Sequence, residues 1–247
     1  LRRRLRTGKN FDLITGTDLT IPREERALWH YLKTQRPLCV VMAPTCTPFG
    51  PLSYLNRVVN YAAWERSYQE AYPLAELTGW VAQHQLHEDI DFLNEQPVPS
   101  TLYEVEPWPQ VCSHPRVVVA AFDQCMTNQR GDHGKLVKKR TGFTASDECL
   151  VAPVRPLQFN HRPDEHETWG ATGRDGSAAR VWTWELAGHV VYGLDCLKRK
   201  RRRGVCSAYS MHAARSHQSV SQSSLMLQEL ERCSIPLWPR GIGSSRV

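Results

Sequence analysis

Apolar and polar positions alternate along the chain in blocks that predict helices and strands in turn. Residues 11–19 predict a short strand that leads into a turn, and apolar residues at helical spacing from Pro22 to Lys33 predict the helix that follows. Proline is tolerated in a first helical turn, and Thr20 can supply the cap. The apolar run 38–42 then predicts a buried strand. This strand, helix, strand order begins a βαβ unit.

A second helix-then-strand unit follows the first. Helical spacing over residues 54–87 predicts two helices with a break near Pro73. Residues 91–97 predict a short strand that ends in a polar loop, and residues 116–122, RVVVAAF, have the clearest strand pattern of the chain. Residues 136–143 predict a further strand or hairpin arm. The pattern predicts an α/β fold with a largely parallel sheet.

Apolar residues become sparse in the last third of the chain. Residues 178–186 predict one last helix, and the basic, Ser-rich composition from Lys198 onward predicts disorder. We therefore expect three parts: a basic N-terminal arm (1–10), an α/β domain (11–190) and a disordered basic tail (191–247). The basic opening at Leu1 indicates a piece of a longer polypeptide.

The charge distribution adds a partner class to this outline. The formal net charge is +6, and basic residues cluster at 2–6, 135–140 and 198–203. Such clusters favour polyanions, so we expect DNA or another nucleic acid as partner. For the third cluster, the alternatives are a solvated charge run or a nuclear-localisation-like signal.

Cysteine use and hydropathy indicate the compartment. The eight cysteines are scattered without a CxxC pair, and no signal-peptide pattern precedes them. We therefore expect free thiols and an intracellular, reducing location. The chain also lacks an apolar run of about 18 residues, so we expect no membrane span.

Cys46 is the first candidate for chemistry. It follows the predicted strand 38–42 in a loop stiffened by Pro44 and Pro48. Parallel sheets bind ligands beyond the carboxyl ends of their strands, and a thiolate there is a strong nucleophile. The alternative is a small buried cysteine with a structural role only.

Polar residues also follow the next two predicted strands. Glu95 stands at the end of the strand 91–97, where a carboxylate can accept a hydrogen bond from a base edge or hold a shared proton. The alternative is a solvated loop glutamate. Asp123, Gln124 and Cys125 follow the third strand.

A basic segment supplies candidate phosphate contacts. Its members are Lys138, Lys139, Arg140 and Thr141, whose side chains are of the types that bind the nucleic-acid backbone. The alternative is a row of exposed strand residues. Together with the three polar strand ends, the segment predicts an edge that faces a polyanion.

Histidine and cysteine spacings do not predict a metal site. The closest pairs are His84 with His87, Cys112 with His114, and His161 with His166. None is joined by a second pair at zinc-finger spacing. A P-loop, a GxGxxG loop and a GxSxG elbow are also lacking from the sequence.

Several short motifs occur in a fixed order that resembles a known family. They are DLITGTDL (12–19), APTCTPFG (43–50), FLNEQP (92–97), DQC (123–125), VKKRTGF (137–143), His166-Glu167 and Gly173 to Ala179. The second resembles the PPCQxFS loop of cytosine-carbon-5 DNA methyltransferases, and the third falls where those enzymes have a glutamate-containing loop. The order is similar to that in methyltransferase-like segments of retroelement polyproteins. The resemblance covers about residues 11–186.

The resemblance implies a partial Rossmann-like methyltransferase core that uses S-adenosylmethionine as cofactor. Cys46 would match the nucleophile that adds to carbon 6 of cytosine, and Glu95 the carboxylate that contacts the flipped base near its ring nitrogen. Asp18 and Pro44 would lie near the cofactor, with Asp12 as the alternative to Asp18.

Departures from the family pattern define the alternatives. Thr45, Gly50 and Arg140 replace a proline, a serine and a proline of the pattern, and the family's glycine-containing cofactor loop would precede residue 11. The resemblance thus implies a degenerate methyltransferase-like domain of retroelement origin. The alternatives are a catalytically inactive remnant that binds nucleic acid and a generic intracellular α/β module with a structural Cys46.

Overall fold

The computed structural model describes residues 5–131, 134–160, 162, 165–166 and 181–215, with side chains up to residue 204. The helices are α1 (Pro22–Gln35), α2 (Ser53–Val59), α3 (Tyr61–His87), α4 (Trp108–Ser113), α5 (Glu148–Val151) and α6 (Trp184–Arg215). The strands are β1 (Cys39–Met42), β2 (Asp91–Pro97), β3 (Val118–Asp123) and β4 (Arg140–Ala145). Three 3₁₀ helices cover Leu13–Thr15, Thr101–Glu104 and Gln124–Thr127.

The chain forms two compact units, residues 1–201 and residues 202–247. The first unit contains the sheet and every site discussed below. Of the second unit the structure describes residues 202–215, which are helical.

The sheet is mixed, in the order β1-β2-β4-β3. β1 pairs with β2 in parallel, whereas β4 is antiparallel to both β2 and β3. The predicted α/β class is confirmed, but the prediction of a largely parallel sheet is wrong. The reason is that β4 follows β3 in the chain and folds back between β2 and β3, which reverses its direction.

Helices cover both faces of this sheet. Phe92 packs in one buried cluster with side chains of α1, α3 and α4, while its neighbour Leu93 packs in another with side chains of α5 and α6. Successive side chains of a strand point to opposite faces, so the two clusters lie on opposite sides of β2. Trp108 fixes α4 to α3, because its indole Nε1 donates to the Ala75 carbonyl oxygen over 3.0 Å.

The predicted strand over residues 11–19 is wrong. Residues Leu13–Thr15 form a 3₁₀ helix, and the Asp12 side chain accepts the Ile14 N–H at its start. Gly16 ends it at φ +79°, a left-handed conformation that suits glycine. Short polar side chains that bond to nearby backbone groups compete with strand pairing, which explains the difference.

The helix pattern differs from the prediction in two places. The break falls at Asn60, whose side chain accepts the Ala63 N–H and caps α3, and α3 runs on through Pro73. α1 begins at Pro22 as predicted, but its N-cap residue is Ile21 without a side-chain bond. The Thr20 hydroxyl instead donates to Asp18.

The C-terminal helix extends well into the region predicted to be disordered. α6 runs from Trp184 to Arg215, and Leu186, Val190 and Leu197 on it are buried. Burial of these apolar side chains stabilises a helix that its basic composition alone does not predict. Residues 216–247 lie outside the described part of the chain.

In the part of the chain that the structure describes, no helix has both the length and the apolar character needed to cross a membrane.

Candidate functional site

The sheet topology brings three strand ends to one edge. β1, β2 and β3 run in the same direction, and β4 runs in the opposite direction between the last two. The carboxyl ends of three strands therefore meet the amino end of β4 at one edge of the sheet. Asp123, at the end of β3, lies opposite Arg140 at the start of β4. We call this edge the carboxyl edge.

The loop that carries Cys46 is held by backbone hydrogen bonds. The Cys46 carbonyl oxygen accepts the N–H groups of Phe49 and Gly50, at 3.0 and 2.9 Å. Phe49 is buried against the Tyr68 ring, with the ring centroids 5.6 Å apart, and its carbonyl oxygen accepts the Thr101 N–H. The Cys46 thiol is partly exposed and forms no disulfide with the other described residues. The loop therefore presents the cysteine from a fixed backbone.

Gln96 joins this loop to β2. Its side-chain Nε2 donates to the Pro44 carbonyl oxygen over 3.0 Å, and its Oε1 accepts the Ser100 hydroxyl over 3.2 Å. Gly50 packs close by, since a Cβ on it would lie 3.3 Å from Pro97 Cγ. The Cys46 loop is thus fastened to the strand that contains Glu95. Gln96 was overlooked at the sequence level, although it lies inside the FLNEQP motif.

Glu95 lies within β2 and not in a polar loop after it. It stands opposite Phe143 of β4 and is only 8% exposed. Its Oε1 lies 3.5 Å from Lys139 Nζ and accepts no hydrogen bond from the described residues. A nearly buried carboxylate oxygen of this kind calls for a functional explanation. It can accept a hydrogen bond from a polar group that enters the carboxyl edge.

The predicted phosphate-binding segment is engaged within the protein. Lys138 Nζ lies 4.7 Å from the centre of the Phe159 ring, and Lys139 pairs with Glu95. Arg140 Nη1 lies 2.7 Å from Asp123 Oδ2, and the buried Thr141 hydroxyl accepts the Gln124 side-chain amide. Lys138 and Arg140 nevertheless keep exposed surface, so both remain accessible to a phosphate group.

The third strand end stabilises the edge and offers no second nucleophile. Asp123 is buried, and its Oδ2 accepts both Arg140 and the Phe159 N–H. Cys125 is also buried, and burial followed by the charge of Asp123 raises the pKa of its thiol. A raised pKa keeps a thiol protonated and unreactive near neutral pH.

The two predicted cofactor residues, Asp18 and Pro44, have hydrogen-bond partners within the protein. Asp18 is partly exposed, and its Oδ1 accepts the Thr20 hydroxyl and backbone N–H, which lower the pKa of Asp18. The Pro44 carbonyl oxygen already accepts the Gln96 amide. Binding of S-adenosylmethionine at Asp18 and Pro44 stays a prediction.

The histidine, cysteine and acidic side chains do not form a metal site in the described part of the chain. No group of three of them is arranged there to hold a metal ion. His161, Glu167 and the Gly173 to Ala179 element lie outside the described residues.

Comparison with protein-family models, curated proteins and solved structures finds no match for the chain.

Proposed function

We propose that residues 11–201 are a methyltransferase-like domain of retroelement origin, in degenerate form, that acts on cytosine in DNA through Cys46 and Glu95. The observation that carries the proposal is the hydrogen bond from Gln96 to Pro44. It fastens the cysteine loop to the strand that holds a nearly buried carboxylate. The Cys46 loop and the strand that contains Glu95 are thereby joined directly.

The side chains divide the chemistry between them. The Cys46 thiolate adds to carbon 6 of the pyrimidine, and the electron pair of the carbon 5–carbon 6 double bond moves into the ring. Glu95 hydrogen-bonds the ring nitrogen or the amino group of the base and holds the proton that balances this charge. Reversal of the addition releases the thiolate.

Access to the base requires DNA opening and phosphate contacts. The target base leaves the stack at a cost of a few kcal/mol. Lys138 and Arg140, exposed cations on either side of the Glu95 partner Lys139 in sequence, would contact the flanking phosphates. The basic run 198–203 favours an intracellular, nuclear location for such a protein.

S-adenosylmethionine would supply the methyl group that completes the reaction. The step assigned to Cys46 and Glu95 is the activation of the base that precedes methyl transfer. That step is measurable without the cofactor.

The test uses a DNA duplex in which one cytosine is replaced by pyrimidin-2-one. This base lacks the amino group, so its carbon 6 is more open to thiol addition. The full chain should form an adduct that survives denaturing electrophoresis, and Cys46→Ser should abolish it. Cys112→Ser, at an exposed free cysteine, is the matched control and should react like the unmodified protein. An adduct retained by Cys46→Ser refutes the nucleophile assignment.

The second candidate is an inactive remnant that binds nucleic acid. The ion pair of Lys139 with Glu95 favours it, because a carboxylate neutralised within the protein is less available to a base. Calorimetric titration with S-adenosylmethionine separates the two. Heat of binding supports the enzyme, whereas a folded chain that retains DNA at low salt but gives neither heat nor adduct supports the remnant.

A further inference from the structure

Two cysteines far apart in sequence meet on the side of the domain formed by α5 and α6. The sulfur atoms of Cys149 on α5 and Cys196 on α6 lie 3.3 Å apart, although the residues are 47 positions apart. Both thiols are free, Cys196 is exposed and Cys149 is partly exposed. A disulfide needs a sulfur separation of about 2.05 Å, so the two sulfur atoms must approach each other by a further ~1.2 Å.

The close packing of the two helices has a specific cause. A Cβ on Gly193 would lie 2.7 Å from the Cys149 carbonyl oxygen, so only glycine permits this approach. Cys196 and Lys200 follow at helical spacing on the same face of α6. Lys200 Nζ donates to Asp147 Oδ2 over 2.6 Å. Contacts on either side of Cys196 thus hold it opposite Cys149.

The pair is open to small reagents. A cleft of about 290 Å³ is lined by both cysteines together with Asp147, Tyr192 and Lys200. Burial, followed by the hydrogen bond with Cys196, raises the pKa of Cys149. The exposed Cys196 is therefore the thiol that an oxidant meets first.

We propose that Cys149 and Cys196 form a peroxide-sensitive thiol pair whose oxidation to a disulfide locks α6 onto α5. The Cys196 thiolate attacks a peroxide oxygen, the O–O bond breaks, and the leaving oxygen departs as water with the thiol proton. The Cys149 thiol then attacks the sulfenic acid sulfur, and its proton leaves with the displaced hydroxyl group as a second water. Two thiols and one hydrogen peroxide thus give one disulfide and two waters.

The bond would restrict the movement of the basic residues 198–201. These residues follow Cys196 on the same helix, and Lys200 and Arg201 already pair with Asp147 and Asp91. A covalent bond at Cys196, about one helical turn before Lys200, would prevent α6 from separating from α5. Oxidation would then fix the position of its cations. The inference does not depend on the methyltransferase-like function.

The experiment treats the full chain with hydrogen peroxide in a background where Cys206 and Cys233 are serine. The protein should lose the mass of two hydrogens, and proteolytic mapping should recover the peptide that links Cys149 to Cys196. The melting midpoint should rise by about 5–15 °C and return after dithiothreitol. Cys112→Ser is the matched control and should not change any of these results.

Two outcomes would overturn the proposal. One is stepwise gain of oxygen at Cys196 without a linked peptide. The other is linkage of either cysteine to a different partner. A Cys149→Ser variant tests the role of Cys149 separately. It should fold, show no linked peptide and accumulate oxygen on Cys196 instead.

Discussion

The side-chain amide of Gln96 donates to the carbonyl oxygen of Pro44 over 3.0 Å, and this bond connects two segments that are 52 positions apart. Pro44 opens the loop that carries Cys46, and Gln96 follows Glu95 in β2. Gln96 is 1% exposed, so the bond is shielded from water. The relative position of cysteine and carboxylate therefore depends on a residue that does no chemistry itself.

Gln96→Ala should uncouple the two segments. We expect a loss of about 1–2 kcal/mol in unfolding free energy, because the Pro44 carbonyl oxygen and the Ser100 hydroxyl both lose a partner. We expect adduct formation with the pyrimidin-2-one duplex to slow by roughly tenfold or more. Gln110→Ala, at an exposed position, is the control. An unchanged rate would show that the bond has no positioning role.

Gly193→Val should separate α6 from α5. A side chain there would overlap the Cys149 carbonyl oxygen, at 2.7 Å from its Cβ, and we expect a loss of about 2–3 kcal/mol by urea denaturation. Gly188→Ala on the same helix is the matched control, because its Cβ would meet nothing within 4 Å. It should be neutral or stabilise by up to about 1 kcal/mol through helix propensity. Equal effects at both positions would contradict the packing argument.

The Asp147–Lys200 pair should make stability depend on pH at both extremes. Burial alone would raise the pKa of Asp147, but bonds from Lys200 and from the Cys149 N–H outweigh it and lower the pKa below the usual 3.8. The bond to Asp147 raises the pKa of Lys200 above 10.5. The stabilisation is therefore complete between these values. It is lost as pH falls through the lowered pKa of Asp147 or rises through the raised pKa of Lys200.

Asp147→Asn tests this dependence, because asparagine keeps a side-chain oxygen that can cap α5. The variant should melt below the unmodified protein at pH 7, and the two melting midpoints should converge as the pH falls through the lowered pKa of Asp147. Glu70→Gln, at an exposed site, should run parallel to the unmodified protein at every pH. A difference in melting midpoint that stays constant with pH would show that the effect of Asp147→Asn does not arise from charge.

Truncation should show where the first unit ends. Arg201 pairs with the fully buried Asp91 at 2.9 Å and with Asp89 at 3.1 Å. A chain ending at Arg201 should keep its melting midpoint, whereas a chain ending at Leu197 should lose about 2–4 kcal/mol because Asp91 loses a partner. Both truncations should weaken DNA retention at low salt. Equal midpoints for the two would show that Arg201 does not anchor α6.

The sequence pattern predicted the elements that are governed by local periodicity. β1, β2 and β3 fall close to their predicted positions, since each is an apolar run bounded by polar or turn residues. The direction of β4 was not predictable in this way, because strand direction is set by pairing partners distant in sequence. Asn60 displaced the helix break from Pro73 because a capping side chain decided where α3 begins.

The common edge of the three strand ends was predicted, but the side-chain contacts at that edge were not. Residues at the ends of successive strands do lie at one edge, because three strands share a direction. The ion pairs of Lys139 and Arg140 within the domain depend on β4 lying next to β2 and β3. Such ion-pair partners cannot be identified from the sequence pattern, because they depend on which strands are neighbours in the sheet. The contact of Arg201 with Asp91, 110 positions away, is of the same kind.

The burial of Phe49 has a consequence for how related chains should diverge. Phe49 is buried against the Tyr68 ring, and Gly50 leaves little room for a side chain, because a Cβ on it would lie 3.3 Å from Pro97 Cγ. Selection for the fold of the loop therefore acts on both residues. The Cys46 carbonyl oxygen accepts the N–H groups of both, and any residue type supplies that oxygen. Among related chains, divergence at Phe49 and Gly50 would report loss of the loop fold, whereas divergence at Cys46 alone would report loss of the proposed chemistry.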